Sequence, residues 1–131
     1  MLEPSTIVIY VNDLSKSQSF YQALLGINPK EHSPGYTSFT LSNGMSIGLK
    51  DRQTVHPKPN GQGGDGELAF TVESTRQADA LFSEWKLKGM HIPEPPVTLP
   101  FAYTFIALDP DGNRLRVASM VKAEHQDEKA L

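Results

Sequence analysis

Residues 5–26 read STIVIYVNDLSKSQSFYQALLG, and this stretch decides the fold. It begins with an apolar run typical of a β-strand, and the run ends at the polar pair Asn12 and Asp13. Either side chain can cap the N-terminus of a helix. The apolar residues that follow recur at helical spacing until Gly26, a residue type that commonly ends helices. The stretch therefore predicts a strand that leads directly into an amphipathic helix.

The same pattern occurs a second time in residues 66–89, which read GELAFTVESTRQADALFSEWKLKG. When Val72 is aligned with Val11, the two stretches correspond without a gap. Ser74 and Gln77 have the spacing of a capping box, so they predict the start of the second helix. The chain thus repeats a strand–helix unit.

Each half continues with a predicted β-hairpin. The first half reads GYTSFTLSNGMSIGLK, with an Asn-Gly turn, and the second reads YTFIALDPDGNRLRVAS, with an Asp-Gly turn. When the turn glycines Gly44 and Gly112 are aligned, Gly48 and Arg116 occupy equivalent positions in the two halves. Each half is therefore a strand, a helix and two or three further strands. This is an α+β pattern in which two such units pack around a shared surface.

The two repeated modules are predicted to form a single domain over residues 1–131. The segment between them is rich in glycine and proline and has no apolar periodicity, which is typical of a connector. The last residues are mostly polar and are predicted to form a surface tail. The predicted boundaries are residues 5–50 for module 1, 51–66 for the connector, 67–120 for module 2 and 121–131 for the tail.

Alternation along the predicted strands separates two faces. The face that carries Ile7, Ile9, Phe39 and Leu115 is apolar and is expected to pack under the helices, where Trp85 is a core residue. The opposite face mixes hydroxyl groups, aromatic rings and a few charges, which favours the wall of a cavity, with plain exposure to solvent as the alternative. Its members are Thr6, Val8, Tyr10, Tyr36, Ser38, Thr40, Ser46, Gly48, Lys50, Glu67, Ala69, Thr71, Thr104, Ile106, Arg114, Arg116 and Ala118.

The composition excludes several kinds of partner. The chain of 131 residues has a formal net charge of −3, which argues against binding a nucleic-acid backbone. No apolar run approaches the roughly 18 residues of a membrane span. There are no cysteines, so thiolate metal sites are excluded and a cytoplasmic location is expected. The histidines show no metal-ligand spacing and are predicted to be surface residues in loops or the tail; they are His32, His56, His91 and His125.

Two motifs, VNDLSKSQSFYQALLG at residues 11–26 and DPDGNRLRV at residues 109–117, resemble the vicinal oxygen chelate superfamily. This family includes glyoxalase I, bleomycin-resistance proteins, fosfomycin-resistance enzymes and extradiol dioxygenases. The resemblance implies two βαβββ modules whose mixed sheet curls around a cavity, with the helices on the outer face. It also implies a homodimer. The segments LFSEWKLKG and DPDGN look more like the drug-binding, phenazine-resistance-type members than like glyoxalase I.

Metal-using members of that family place four ligands on the cavity wall, and the resemblance locates these positions at Thr6, Gly48, Glu67 and Arg116. A divalent metal needs several anionic or imidazole donors, whereas glycine has no side chain and a guanidinium is always cationic. We therefore expect no metal and no cofactor. Arg116 is expected to take the place of the metal and to pair with Glu67, with a ligand, or with both; a purely structural ion pair is the alternative.

The segment of residues 92–105, IPEPPVTLPFAYTF, contains four prolines before Phe101 and Tyr103. One interpretation is a stiff extended connector between helix and strand. The other is a pocket wall that presents an aromatic ring to a planar ligand.

Three hypotheses of function follow. The leading one is a metal-free protein that sequesters a planar aromatic compound, as antibiotic-resistance proteins of this family do, with Arg116 holding an anionic or carbonyl-bearing ligand. The alternative is a glyoxalase-like lyase or isomerase with Glu67 as general base, although no nucleophile–base pair is evident. The third is an accessory subunit with a vestigial cavity. The predicted ligand-binding residues are Thr6, Tyr10, Tyr36, Ser38, Ser46, Lys50, Glu67, Phe101, Tyr103, Thr104, Ile106 and Arg116.

Overall fold

The computed structural model describes residues 1–120, and the predicted tail at residues 121–131 lies outside them. The first compact unit is Met1–Gly63. Its four strands form one sheet in the order β1-β4-β3-β2, in which β1 is parallel to β4 and the other pairs are antiparallel. The elements are β1 (Thr6–Val11), α1 (Leu14–Leu25), β2 (Lys30–Ser33), β3 (Tyr36–Thr40) and β4 (Ser46–Asp51), followed by a short 3₁₀ turn (Arg52–Thr54).

The second compact unit starts at Gly64 and repeats the arrangement. Its sheet has the order β5-β8-β7-β6, again with the first strand parallel to its neighbour. Each unit is therefore a βαβββ module, which confirms the predicted α+β fold and the internal repeat. The elements are β5 (Glu67–Val72), α2 (Thr75–Leu87), β6 (Glu94–Thr98), β7 (Tyr103–Leu108) and β8 (Arg114–Ser119).

Both helices begin at the capping residues that the sequence indicates. Asp13 accepts a hydrogen bond from the backbone N–H of Lys16 at 3.1 Å, and Ser74 accepts one from the N–H of Gln77 at 3.1 Å. At the other end of α1, Gly26 has a φ of 70°, a left-handed conformation that glycine adopts without steric strain. These local signals set where each helix starts and, for α1, where it ends.

The core of the first unit lies between α1 and the sheet. Val11, Phe39 and Leu49 are 0% exposed, as the alternation predicts, and Tyr21 of the helix is also 0% exposed. Ile7 is the exception, because it remains 46% exposed near the start of an edge strand. The apolar face is thus covered best over the central strands.

The core of the second unit is a cluster of aromatic rings. Phe105 lies 5.5 Å from Trp85 and 5.6 Å from Phe82 between ring centroids, both in edge-to-face geometry. Such pairs stabilise a core by roughly 0.5–1.5 kcal/mol beyond the area they bury. Trp85 is 5% exposed, so its predicted place in the core is confirmed.

The proline-rich segment forms the edge strand β6 rather than only a connector. Glu94 pairs with Ile106 and Val97 pairs with Thr104, with an irregularity in register between the two pairs. Proline has no N–H to donate to a neighbouring strand, so it is tolerated at an edge and at an irregularity of this kind.

Candidate functional site

Each sheet has a face that points away from the helix of its own module; we call it the open face. In the first sheet, cross-strand neighbours on this face form three rows. The rows are Thr6–Ser46–Thr40, Val8–Gly48–Ser38 and Tyr10–Lys50–Tyr36. Six of the predicted ligand-binding residues therefore share one surface: Thr6, Tyr10, Tyr36, Ser38, Ser46 and Lys50.

An aromatic cluster dominates this surface. The Tyr36 ring lies over Gly48, where an added Cβ would come within 2.7 Å of the tyrosine hydroxyl oxygen. The imidazole of His32 stacks on Tyr36 with 5.1 Å between centroids and a 30° tilt. Its Nε2 is 2.6 Å from the Oγ of Ser38, a hydrogen bond that orients the imidazole. Lys50 completes the cluster, with its Nζ 5.6 Å from the centroid of Tyr36.

His32 was not expected in this cluster. The sequence predicts a surface residue in a loop, whereas the structure places it in β2. The signal that the sequence does offer is its position in a short segment directly before the Tyr36 strand. His56 and His91 lie outside the helices and strands, and His125 is beyond the described residues.

The open face of the second sheet is organised around Arg116. Its Nε donates to Oε2 of Glu67 at 3.1 Å, and its Nη1 donates to Oγ1 of Thr104 at 3.2 Å. The Thr104 hydroxyl in turn donates to the carbonyl of Val117 at 2.7 Å. The predicted pairing of Arg116 with Glu67 is confirmed. The side chains of Arg116 and Glu67 are 19% and 39% exposed, so the pair remains accessible from one side.

Arg116 and Gly48 occupy equivalent places in the two modules. Gly48 lies between Val8 and Ser38 in the first sheet. In the second sheet, Arg116 lies between Ala69 and Ile106. One module thus presents a ring at this position, because Tyr36 covers Gly48, and the other presents a guanidinium.

Tyr103, which is predicted to stack on a ligand as part of a pocket wall, does not share the open face with the other predicted residues. Its hydroxyl donates to Oδ1 of Asp79 in α2 at 2.6 Å, so the ring lies on the helix side of the sheet. This hydrogen bond to a carboxylate raises the pKa of Tyr103, since ionisation would break it and bring two negative charges together.

Phe101 lies in the loop before β7 and is 50% exposed. Four predicted residues share the open face of the second sheet: Glu67, Thr104, Ile106 and Arg116.

The four positions that would hold a metal do not fit one. The space over Gly48 is filled by the Tyr36 ring, and Arg116 contributes only N–H donors. Glu67 is the single carboxylate of the set, and it already accepts a hydrogen bond from Arg116. Over residues 1–120, no three side chains of histidine, aspartate or glutamate converge closely enough to hold a metal ion.

With this geometry established, the family is clear. The model of the Glyoxalase/Bleomycin resistance protein/Dioxygenase superfamily matches residues 4–117. The match covers most of the chain, and the protein belongs to this superfamily.

In the part of the chain that the structure describes, no helix has the length and apolar character needed to cross a bilayer.

Individual relatives carry different names. The chain is 26% identical over 124 residues to the phenazine antibiotic resistance protein EhpR of Enterobacter agglomerans, an alignment that spans 91% of this chain and 93% of EhpR. It is 46% identical to protein ATC0852 of Agrobacterium tumefaciens, whose solution NMR structure superimposes with a TM-score of 0.81 over 92% of this chain and 98% of that one. A glyoxalase/bleomycin resistance protein/dioxygenase from Nocardioides shares the fold at 20% identity, with a TM-score of 0.79 and coverage of 92% and 84%.

Proposed function

We propose that this protein binds a planar aromatic compound without a metal and protects the cell by sequestering it. The observation that carries the proposal is Arg116, which stands at a metal-ligand position of the family and pairs there with Glu67 and Thr104. The name of EhpR supports a phenazine as the kind of ligand.

The Arg116–Glu67 pair suits the polar edge of such a ligand. Two of the guanidinium nitrogens are engaged, which leaves further N–H groups free to donate to a carbonyl or carboxylate oxygen. The second carboxylate oxygen of Glu67 can accept from a ligand hydroxyl or amide. Ile106 lies beside Arg116 in the adjacent strand and is 5% exposed, so it offers apolar backing.

The binding test uses two probes that differ in charge, phenazine-1-carboxylate and phenazine-1-carboxamide, titrated by calorimetry. We expect both to bind, and Arg116→Met to weaken both about tenfold, because a charge-assisted hydrogen bond contributes roughly 1.5–3 kcal/mol. Arg114→Met is the matched control, since Arg114 lies on the same strand and the same face and is exposed. Loss of affinity in both variants alike, or no binding of either probe to the parent protein, would refute the proposal.

The metal-free part of the proposal has a separate test. Elemental analysis of protein purified without a histidine tag should find less than stoichiometric zinc, nickel, manganese and iron. One metal ion per chain would overturn it. Native mass spectrometry of protein isolated from its own cells should in addition show a copurifying aromatic compound.

A further inference from the structure

The open face of the first sheet carries a cation for which the described part of the chain supplies no carboxylate at salt-bridge distance. Lys50 lies in the central strand β4, between Tyr10 on one side and Tyr36 on the other. Across residues 1–120, no carboxylate oxygen lies within 4.0 Å of its Nζ. The Arg116 guanidinium differs in this respect, because the Glu67 carboxylate compensates its charge. Among residues 1–120, Lys50 is thus the predicted ligand-binding cation that has no ion pair.

The rings beside Lys50 are held in place by the sheet. Tyr36 has room because position 48 is a glycine, and His32 is fixed both by stacking on Tyr36 and by its hydrogen bond to Ser38. Ser38 is itself 5% exposed, so the hydroxyl that orients the imidazole is anchored in the sheet. A ligand would therefore meet rings that are already ordered, and it would lose less conformational entropy on binding.

We infer that His32, Tyr36 and Lys50 form a binding surface for a planar aromatic molecule that bears a negative charge. This inference rests on the proposed function and specifies the charge of its ligand. The aromatic body stacks against the imidazole and phenol rings, and the anionic group pairs with the ammonium of Lys50. Lys50, and not the neutralised Arg116, is then the residue that distinguishes an acid from its amide.

The first experiment measures that distinction. Phenazine-1-carboxylate and phenazine-1-carboxamide are titrated against the parent protein and Lys50→Met. We expect the parent to prefer the acid, and Lys50→Met to lose about tenfold in affinity for the acid and less than twofold for the amide. The matched control is Lys86→Met. Its Nζ lies 5.7 Å from the centroid of Phe82, a similar contact on a helix of the other module, and it should leave both affinities unchanged.

The second experiment tests the rings. His32→Ala should weaken both probes by about threefold to tenfold, because it removes a stacking partner without changing the charge of Lys50. His91→Ala, in a loop of the other module, is its control and should have no effect. Amide chemical shifts of labelled protein provide a check that does not depend on variants. Addition of the acid should shift resonances of β2, β3 and β4, including those of His32 and Lys50.

The outcomes separate the two proposals. Suppose that the probes bind, that neither Lys50→Met nor His32→Ala changes their affinity, and that the amide chemical shifts change only in the second sheet. The binding surface on the first sheet is then refuted, while the proposed function stands. If the parent protein binds neither probe, both proposals fail. If Lys50→Met loses affinity for the acid and the amide equally, Lys50 does not discriminate between charged and neutral ligands.

Discussion

Replacing Glu67 with glutamine tests where the acid group of an aromatic ligand binds, because Glu67 pairs with Arg116 and not with Lys50. An acid group that binds at Arg116 should bind more tightly to this variant, whereas an acid group that binds at Lys50 should be unaffected. Glu67 neutralises Arg116 through a contact of 3.1 Å. A ligand carboxylate that accepts from the remaining N–H groups of Arg116 would lie about 5 Å from the Glu67 carboxylate, given the spacing of the guanidinium donors. The two negative charges then repel, and Glu67→Gln removes that repulsion while preserving the shape of the side chain.

The magnitude follows from Coulomb's law. At about 5 Å the repulsion is roughly 0.8 kcal/mol in water and roughly 3 kcal/mol at an effective dielectric constant of about 20. The Glu67 side chain is 39% exposed, which places the site near the aqueous limit. For phenazine-1-carboxylate, an acid group at Arg116 therefore predicts a gain of about 1 kcal/mol, or about fivefold in affinity, and an acid group at Lys50 predicts a change of less than about twofold. The carboxamide should change by less than twofold.

Calorimetric titrations at low and high salt measure this effect. The gain should shrink at high salt, because screening weakens interactions between partly exposed charges. Glu73→Gln changes the net charge equally at an exposed position outside the two sheets and serves as the control. Unfolding by urea should show that Glu67→Gln costs less than about 1 kcal/mol of stability, as is usual for an exposed ion pair. If the acid binds more weakly to Glu67→Gln, or if acid and amide gain alike, the electrostatic argument is wrong.

Three further predictions concern stability and assembly. Thr104→Val should lower the free energy of unfolding by about 1–3 kcal/mol, because the fully buried hydroxyl loses hydrogen bonds to Arg116 and Val117; an unchanged urea midpoint would contradict this. Asp79→Asn should bring the pKa of Tyr103 back towards 10.0, as read from tyrosinate absorbance. Because the folded-state pKa of Tyr103 is raised, the stability that this hydrogen bond contributes is present below pH 10 and is lost as the pH rises through the folded-state pKa. The free energy of unfolding of Asp79→Asn should therefore not show this decrease at alkaline pH. We also expect a homodimer, because the edge strand β1 exposes three large apolar or aromatic side chains: Ile7 at 46%, Val8 at 44% and Tyr10 at 39%. Light scattering that finds only a 14.4 kDa species would argue against this prediction.

The sequence predicts the repeat well because its signals are local. The capping residues of both helices and the turn glycines are short-range features, and they fix the register of the strands that follow them. The equivalence of Gly48 and Arg116 could be read from the sequence for that reason. The pairing of Arg116 with Glu67 then follows from the alternation of two adjacent strands.

The errors arise where local signals are weak. The ligand set predicted from sequence contains both Tyr103 and Thr104, although neighbouring residues in a strand point to opposite faces. Tyr103 belongs to the set because the proline-rich segment before it favours a pocket wall with aromatic rings, an interpretation that conflicts with the alternation along β7. His32 was missed because β2 has only four residues, KEHS, without any apolar alternation. Its place in the sheet depends on pairing with β3, a tertiary contact that propensity does not encode.

The contrast between Gly48 and Arg116 also constrains how this protein could change by mutation. If the modules descend from a duplicated ancestor, the two copies have diverged at this position. The first module has a glycine covered by the Tyr36 ring, and the second has the cationic side chain of Arg116. A single substitution at Gly48 would force a side chain into the ring of Tyr36, and a single substitution at Arg116 would leave Glu67 without its counter-ion. A metal site at these positions would therefore require replacements in both modules.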